Sequence, residues 1–210
     1  MFDVDLDSIS KLYNNSAQAY GDSPKAARWA DTETQERRFE VLCAVGDLKT
    51  AKVLDFGCNV GHLLRFMRER LDFKGEYVGY DISPLAILEA AENFPFPEVR
   101  FKHTNILVDQ IPEDFDYVLM SGIFSDPVSN NWALMECILK RLFVHTRKAL
   151  TFNMFSTRVD YQSKELFYYQ PEEVLAFCLD QLSHRVILRH DYRLRQSAGT
   201  YEFTVYVYKE

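Results

Sequence analysis

The sequence predicts a single α/β domain over residues 1–210, built on a doubly wound, mostly parallel seven-stranded sheet with a C-terminal antiparallel hairpin. Three observations carry this expectation. From residue 52 onward, short apolar runs alternate with segments of helical period. The first apolar run ends in a glycine turn that opens a helix, the join typical of a parallel unit. The tail then changes to strict period-two alternation.

Taken in order, residues 1–31 read as an irregular N-terminal segment with polar turns at Asn14-Asn15-Ser16 and Tyr20-Gly21-Asp22-Ser23-Pro24. Thr32, with Gln35 three residues on, has the form of a capping box, opening a helix that runs to about Val45 before Gly46. Lys52–Phe56 is a first strand, Gly61–Leu71 a helix and Glu76–Asp81 a second strand. Pro84 suits the first turn of the next helix. Val99–His103 and Phe115–Met120 are further strands, and Asn131–Val144 repeats its apolar residues at helical spacing. Ala149–Phe155 is the fifth strand, and Pro171 opens a last helix. The tail pairs a strand through Val186, Leu188, His190, Tyr192 and Leu194 with one through Tyr201, Phe203, Val205 and Val207, joined by a turn near Ser197-Ala198-Gly199. Glu202 and Thr204 fall on the alternate, polar face, opposite a row of arginines from Arg185 to Arg195.

Composition narrows the function classes. At 47% hydrophobic and 26% charged, the chain supports a packed core and excludes disorder as its main state. A net charge of −7 disfavours general affinity for nucleic acid or an anionic membrane. No apolar run approaches membrane-span length, and the first seven residues carry acid where a secretory signal needs Lys or Arg. The four cysteines, Cys43, Cys58, Cys137 and Cys178, lack metal-ligand spacing, so no metal site is expected and free thiols in the cytoplasm are.

The densest chemical signal is Val53-Leu54-Asp55-Phe56-Gly57-Cys58-Asn59-Val60-Gly61. Gly57 lets backbone approach a ligand, Asn59 tolerates a left-handed turn, and Gly61 allows close packing of the following helix. Asp81 follows Gly61 by twenty residues, at the end of the second strand, where a carboxylate can accept both hydroxyl hydrogens of a ribose. Its other use is to cap the following helix, a task that Ser83 can also perform.

On these residues the chain resembles the class I S-adenosylmethionine (SAM) dependent methyltransferases. Val53–Gly61 is similar to their glycine-rich first motif and Tyr77–Ser83 to the second. His103-Thr104-Asn105-Ile106 is similar to the third, and Phe115–Met120 with Ser121-Gly122 to the fourth. The resemblance covers about residues 35–208. It departs at Asn59, where the family commonly has glycine, and at Asn105, where it commonly has Asp. The Asn/Asp-Pro-Pro-Tyr motif of many members that methylate amino groups is missing. The resemblance implies SAM as cofactor, bound by Gly57, Cys58, Asn59, Gly61, Asp81, Ile82, Asn105, Ile106 and Ser121, with Ile82 against adenine. Site chemistry favours SAM over a dinucleotide. Cys58, Asn59 and Val60 narrow the space for pyrophosphate, and Asp55 would repel it while ordering the loop or facing the ammonium of SAM.

Other residues carry two readings each. Arg38, on the helix before the first strand, is either the bidentate partner of the SAM carboxylate or a solvated surface arginine. Asp126 is either a base or orienting group at the acceptor, or a turn residue before Pro127. His190, with Leu188 and Tyr192, reads more simply as a core histidine than as a catalytic one. The polar, aromatic segment 155–169 is expected to form a substrate loop with Tyr161 as a catalytic candidate, and residues 1–31 a lid. The functional expectation is methyl transfer to oxygen or nitrogen of a small-molecule acceptor; the alternative is a non-catalytic SAM- or nucleotide-binding regulator.

Overall fold

In the computed structural model, which describes residues 6–29, 31–195 and 202–210, seven strands form one sheet. They are β1 (Val53–Phe56), β2 (Tyr77–Asp81), β3 (Val99–His103), β4 (Phe115–Met120), β5 (Thr146–Phe155), β6 (Val186–Arg189) and β7 (Glu202–Tyr208). Their spatial order is β3-β2-β1-β4-β5-β7-β6, parallel from β3 to β5, with β7 antiparallel to both β5 and β6. The helices are α1 (Leu6–Tyr20), α2 (Thr32–Cys43), α3 (His62–Leu71), α4 (Pro84–Asn93), α5 (Asn131–Val144) and α6 (Pro171–Gln181).

Strand pleating divides the core into two layers. Leu54, Val78, Val118, Leu150 and Val205 face one side and pack under α5 and α6. Val53, Tyr77, Leu119, Ala149 and Tyr206 face the other and pack under α2 and α3. Both faces are covered, so the central strands read as unbroken apolar runs. The strand order reverses direction at β1, and the crevice between the carboxyl ends of β1 and β4 is where such sheets bind ligands.

Three expectations about local structure are corrected. Residues 6–20 are helix, not irregular: Leu6, Ile9, Tyr13 and Ala17 form a helical stripe, and no Gly or Pro interrupts it before Gly21. Asn14 and Asn15 sit mid-helix because Asn14 has a tertiary partner: its Oδ1 accepts from the Ser83 hydroxyl at 2.7 Å. The cap of α2 is Asp31, whose carboxylate accepts from the Thr34 amide at 2.8 Å, while Thr32 is the first helical residue. Gln35 does not reach back to the cap; its amide bonds His62 at 3.2 Å.

The hairpin also differs. The sixth strand stops at Arg189, and residues 190–195 leave the sheet so that Tyr192 and Leu194 pack on Val41 of α2. The turn placed near Ser197-Ala198-Gly199 lies outside the described residues. β7 is an inner strand between β5 and β6, so its polar face is buried too. The sixth strand ends at Arg189, opposite Thr204, so Glu202 has no arginine across from it on that strand; it points to the α2 side with Thr204 and Tyr206, at 2% exposure.

Candidate active site

At the carboxyl ends of β1, β2 and β4 lies a pocket of about 410 Å³. Its floor is the turn after β1. Gly57 (φ 83°) and Asn59 (φ 47°) both adopt left-handed backbone, which glycine and, among other residues, asparagine tolerate best. The Gly57 and Cys58 amides donate to the Tyr80 carbonyl at 2.7 and 3.1 Å, pinning this turn to the end of β2. Gly57 and Asn59 face the pocket. Cys58 and Gly61 turn away from it: Cys58 is buried below, and Gly61 caps α3 with its amide on the Cys58 carbonyl.

Asp81 closes the β2 side. The residue is 7% exposed, and its carboxylate accepts from the Asn59 amide on Oδ2 and the Ser83 amide on Oδ1, both at 2.8 Å. Burial pushes this carboxyl up, and the backbone donors oppose that shift. Ile82 stands beside it, and Thr104 and Ile106 continue the wall. Asn105 does not reach the pocket. Its Oδ1 accepts from the Leu107 amide at 3.0 Å, and its own amide donates to Asp109 at 2.7 Å, so the residue serves its local turn. Ser121 lines the pocket with a buried hydroxyl oxygen that has no partner among the described residues.

Asp55 faces away, under α2 and α3, and accepts from the Tyr77 hydroxyl at 2.6 Å. Burial raises its carboxyl to about 7. It supports the loop from beneath, and the strand's pleat prevents it from facing a ligand ammonium, the other use expected of it.

Arg38 does reach the pocket, but as one half of a buried pair rather than as a surface arginine. Its Nε donates to Glu202 at 2.8 and 3.0 Å, its Nη2 donates to Glu202 at 2.5 Å, and its Nη1 donates to the Thr34 carbonyl at 3.2 Å. Its guanidinium carbon lies 3.9 Å from the centre of the Trp29 ring. Glu202 also accepts from the Asn153 amide at 3.0 Å, and Asn153 in turn accepts from the Gly122 amide at 2.8 Å. Glu202 and Asn153 gave no sequence signal, because alternation placed Glu202 on an outer face and Asn153 inside a plain apolar strand.

The far wall comes from α1 and the loop after β4. Asp126 is 9% exposed, forms an ion pair with Arg28 and accepts from the Tyr13 hydroxyl at 2.8 Å. Burial and the adjacent Asp126 push the Tyr13 phenol well up, so it stays a donor. The Ser10 hydroxyl donates to the Ile82 carbonyl at 2.9 Å, tying α1 to the other rim. The helical stripe of α1 was the signal that could have found Tyr13. In the 155–169 segment, Phe155 and Leu166 line the pocket, but Tyr161 is 78% exposed on the outer surface and is not brought to the site. His190 stacks edge-on to Phe203 and does not line the pocket. Among the described residues, no group of His, Cys, Asp or Glu is placed to hold a metal ion, and no helix is long and apolar enough to cross a membrane.

A seven-stranded sheet of this order, with a glycine turn after its first strand and an acid at the tip of its second, defines a nucleoside-binding α/β protein. Comparison with known proteins makes this specific. The family profile described as a methyltransferase domain matches residues 54–143. A Mycobacterium tuberculosis protein named "Putative methyltransferase Rv1506c" is 33% identical over 161 residues, covering 74% of this chain and 91% of its own length. Two solved structures share the fold. Magnesium protoporphyrin IX methyltransferase (ChlM) from Synechocystis PCC 6803, with bound S-adenosylhomocysteine (SAH), has a TM-score of 0.70 at 14% identity over 98% of this chain and 100% of its own. N-methyltransferase NodS from Bradyrhizobium japonicum WM9, in complex with SAH, has a TM-score of 0.68 at 14% identity over 95% and 97% of the two chains. The chain belongs to the class I SAM-dependent methyltransferases.

Proposed function

We propose that this enzyme methylates an oxygen or nitrogen of a small-molecule acceptor, with Asp81 holding the ribose of SAM and Arg38 its carboxylate. The observation that carries the reading is the Asp81 carboxylate, buried at the tip of β2 and facing the pocket beside the left-handed Gly57–Asn59 turn. Each oxygen of that carboxylate has spent one lone pair on a backbone amide, which leaves acceptor capacity for two hydroxyl groups. Ile82 and Ile106 supply apolar surface suited to an adenine ring, and the Ser121 hydroxyl, without a partner among the described residues, fits a polar ligand atom. When bound, SAM supplies an electrophilic methyl group on a sulfonium, and SAH leaves.

The chain's own task is then to bring an acceptor lone pair into line and exclude water, which by itself provides much of the acceleration. The acceptor side of the pocket is largely aliphatic, with Leu6, Ile9, Val128 and Leu166 around the carboxylate of Asp126. Both Asp126 oxygens are already engaged by Arg28 and Tyr13, an arrangement that suits orienting an acceptor more than removing its proton. We read α1 as a lid, since it joins both rims of the pocket through Ser10 and Tyr13. Calorimetric titration with SAM, SAH and NAD tests the cofactor assignment: binding of the first two alone is expected. Incubation with SAM and fractionated metabolite pools should release SAH. Tight SAM binding with no release from any pool would instead support a regulatory binding protein.

A further inference from the structure

The buried network behind Arg38 has a geometry that a simple surface anchor does not need. A guanidinium has five N–H groups. Glu202 takes the Nε–H and one on Nη2, and the Thr34 carbonyl takes one on Nη1. Among the described residues, one N–H on each terminal nitrogen is left, available to a ligand carboxylate. Trp29 covers one ring-side face of the same group. Edge and face are thereby fixed before any ligand arrives, and Arg38 itself lines the pocket.

We propose that Glu202 and Asn153 are positioning residues for the amino-acid end of the methyl donor, acting through Arg38. The inference rests on Arg38 being the carboxylate anchor. Glu202 sits at the start of β7, and Asn153 near the end of β5 bridges it to the amide of Gly122. One side-chain amide thus links the anchor to the loop that carries Asp126. Glu202 has two opposing electrostatic and geometric effects. Its charge repels a second carboxylate on the same guanidinium, and its position aims the free N–H pair. Glu202→Asp separates them, because it keeps the charge and withdraws the carboxylate by one methylene.

The test is calorimetric titration of wild type, Glu202→Asp, Asn153→Ala and Arg38→Ala with SAH and with 5′-methylthioadenosine, which has the same nucleoside but no amino acid. Arg38→Ala is expected to weaken SAH binding on the order of tenfold or more, the loss expected for charged hydrogen bonds, and to spare methylthioadenosine. Glu202→Asp should weaken SAH roughly three- to tenfold, again sparing methylthioadenosine, with a smaller loss in the same direction for Asn153→Ala. Equal loss of both ligands in Glu202→Asp assigns the pair a purely structural role and overturns the proposal. So does unchanged or tighter SAH binding in Glu202→Asp when Arg38→Ala has lost it. If Arg38→Ala spares both ligands, the anchor reading itself falls. Should Glu202→Asp fail to fold, Asn153→Ala decides: selective loss of SAH supports the proposal, and any other pattern overturns it.

Discussion

Replacing Asp81 by asparagine should damage stability and ligand binding by separable amounts. In the wild type, each carboxylate oxygen accepts a backbone amide at 2.8 Å, from Asn59 on one side and Ser83 on the other. Asparagine keeps one oxygen and sets an NH₂ group against the other amide, donor against donor. A buried N–H left without an acceptor costs about 1–3 kcal/mol. For a chain of 210 residues each kcal/mol moves Tm by roughly 2–4 °C, so a fall of roughly 2–12 °C is expected. Binding loses more. One of the charge-assisted hydrogen bonds to the ribose goes, and the other becomes neutral, a combined loss of about 2–3 kcal/mol, or roughly 30- to 150-fold in SAH affinity. Differential scanning fluorimetry of the free protein reads the first quantity and calorimetry with SAH the second. A lowered Tm with SAH affinity within about twofold of wild type would refute the ribose assignment and leave Asp81 as a staple of the loop.

Four further outcomes are expected. Gly122→Ala drives a methyl group into the edge of the Trp29 ring at a backbone φ of 76°, so it should displace Trp29, change the near-ultraviolet circular dichroism and cost about 1–3 kcal/mol in urea unfolding. Asp126→Ala removes the shared partner of Tyr13 and Arg28 and should speed limited proteolysis within residues 6–29; an unchanged cleavage rate would show that α1 is held by other contacts. Asp55, raised by burial from an ordinary 3.8 to about 7, binds an extra proton in the folded state, so its contribution to stability is complete below pH 3.8 and lost as pH rises through 7. The Tm of Asp55→Asn should therefore gain on that of wild type between pH 5 and pH 8, and a parallel pH dependence would contradict this. Tyr161→Ala should leave Tm and SAH affinity unchanged, because the side chain is 78% exposed and outside the pocket.

The strands and helices from residue 53 to residue 181 were legible because each is written in local periodicity and closed by its own Gly, Pro or cap. Pro84 and Pro171 open their helices as read, and β3, β4 and α5 fall where the apolar spacing put them. Asp81 and Gly57 were legible for the same reason: both sit at fixed offsets along one strand–helix–strand unit, Gly57 after β1 and Asp81 at the end of β2. The N-terminal helix was obscured by Asn14-Asn15-Ser16, whose turn propensity is overridden by the bond from Ser83.

The sequence by itself determined the order of elements from β1 to α6, the glycine turn and the acid beside it, since all of these depend on neighbours within about one βα unit. Tertiary structure alone decided which groups those elements meet. It turned Asp55 away from the pocket through the pleat of β1, left Tyr161 outside and brought Tyr13 onto Asp126. It also buried Glu202 against Arg38, 164 residues away, by inserting β7 between β5 and β6. Period-two alternation states that a strand has two faces. Only the position of that strand in the sheet decides whether the second face meets water or an arginine.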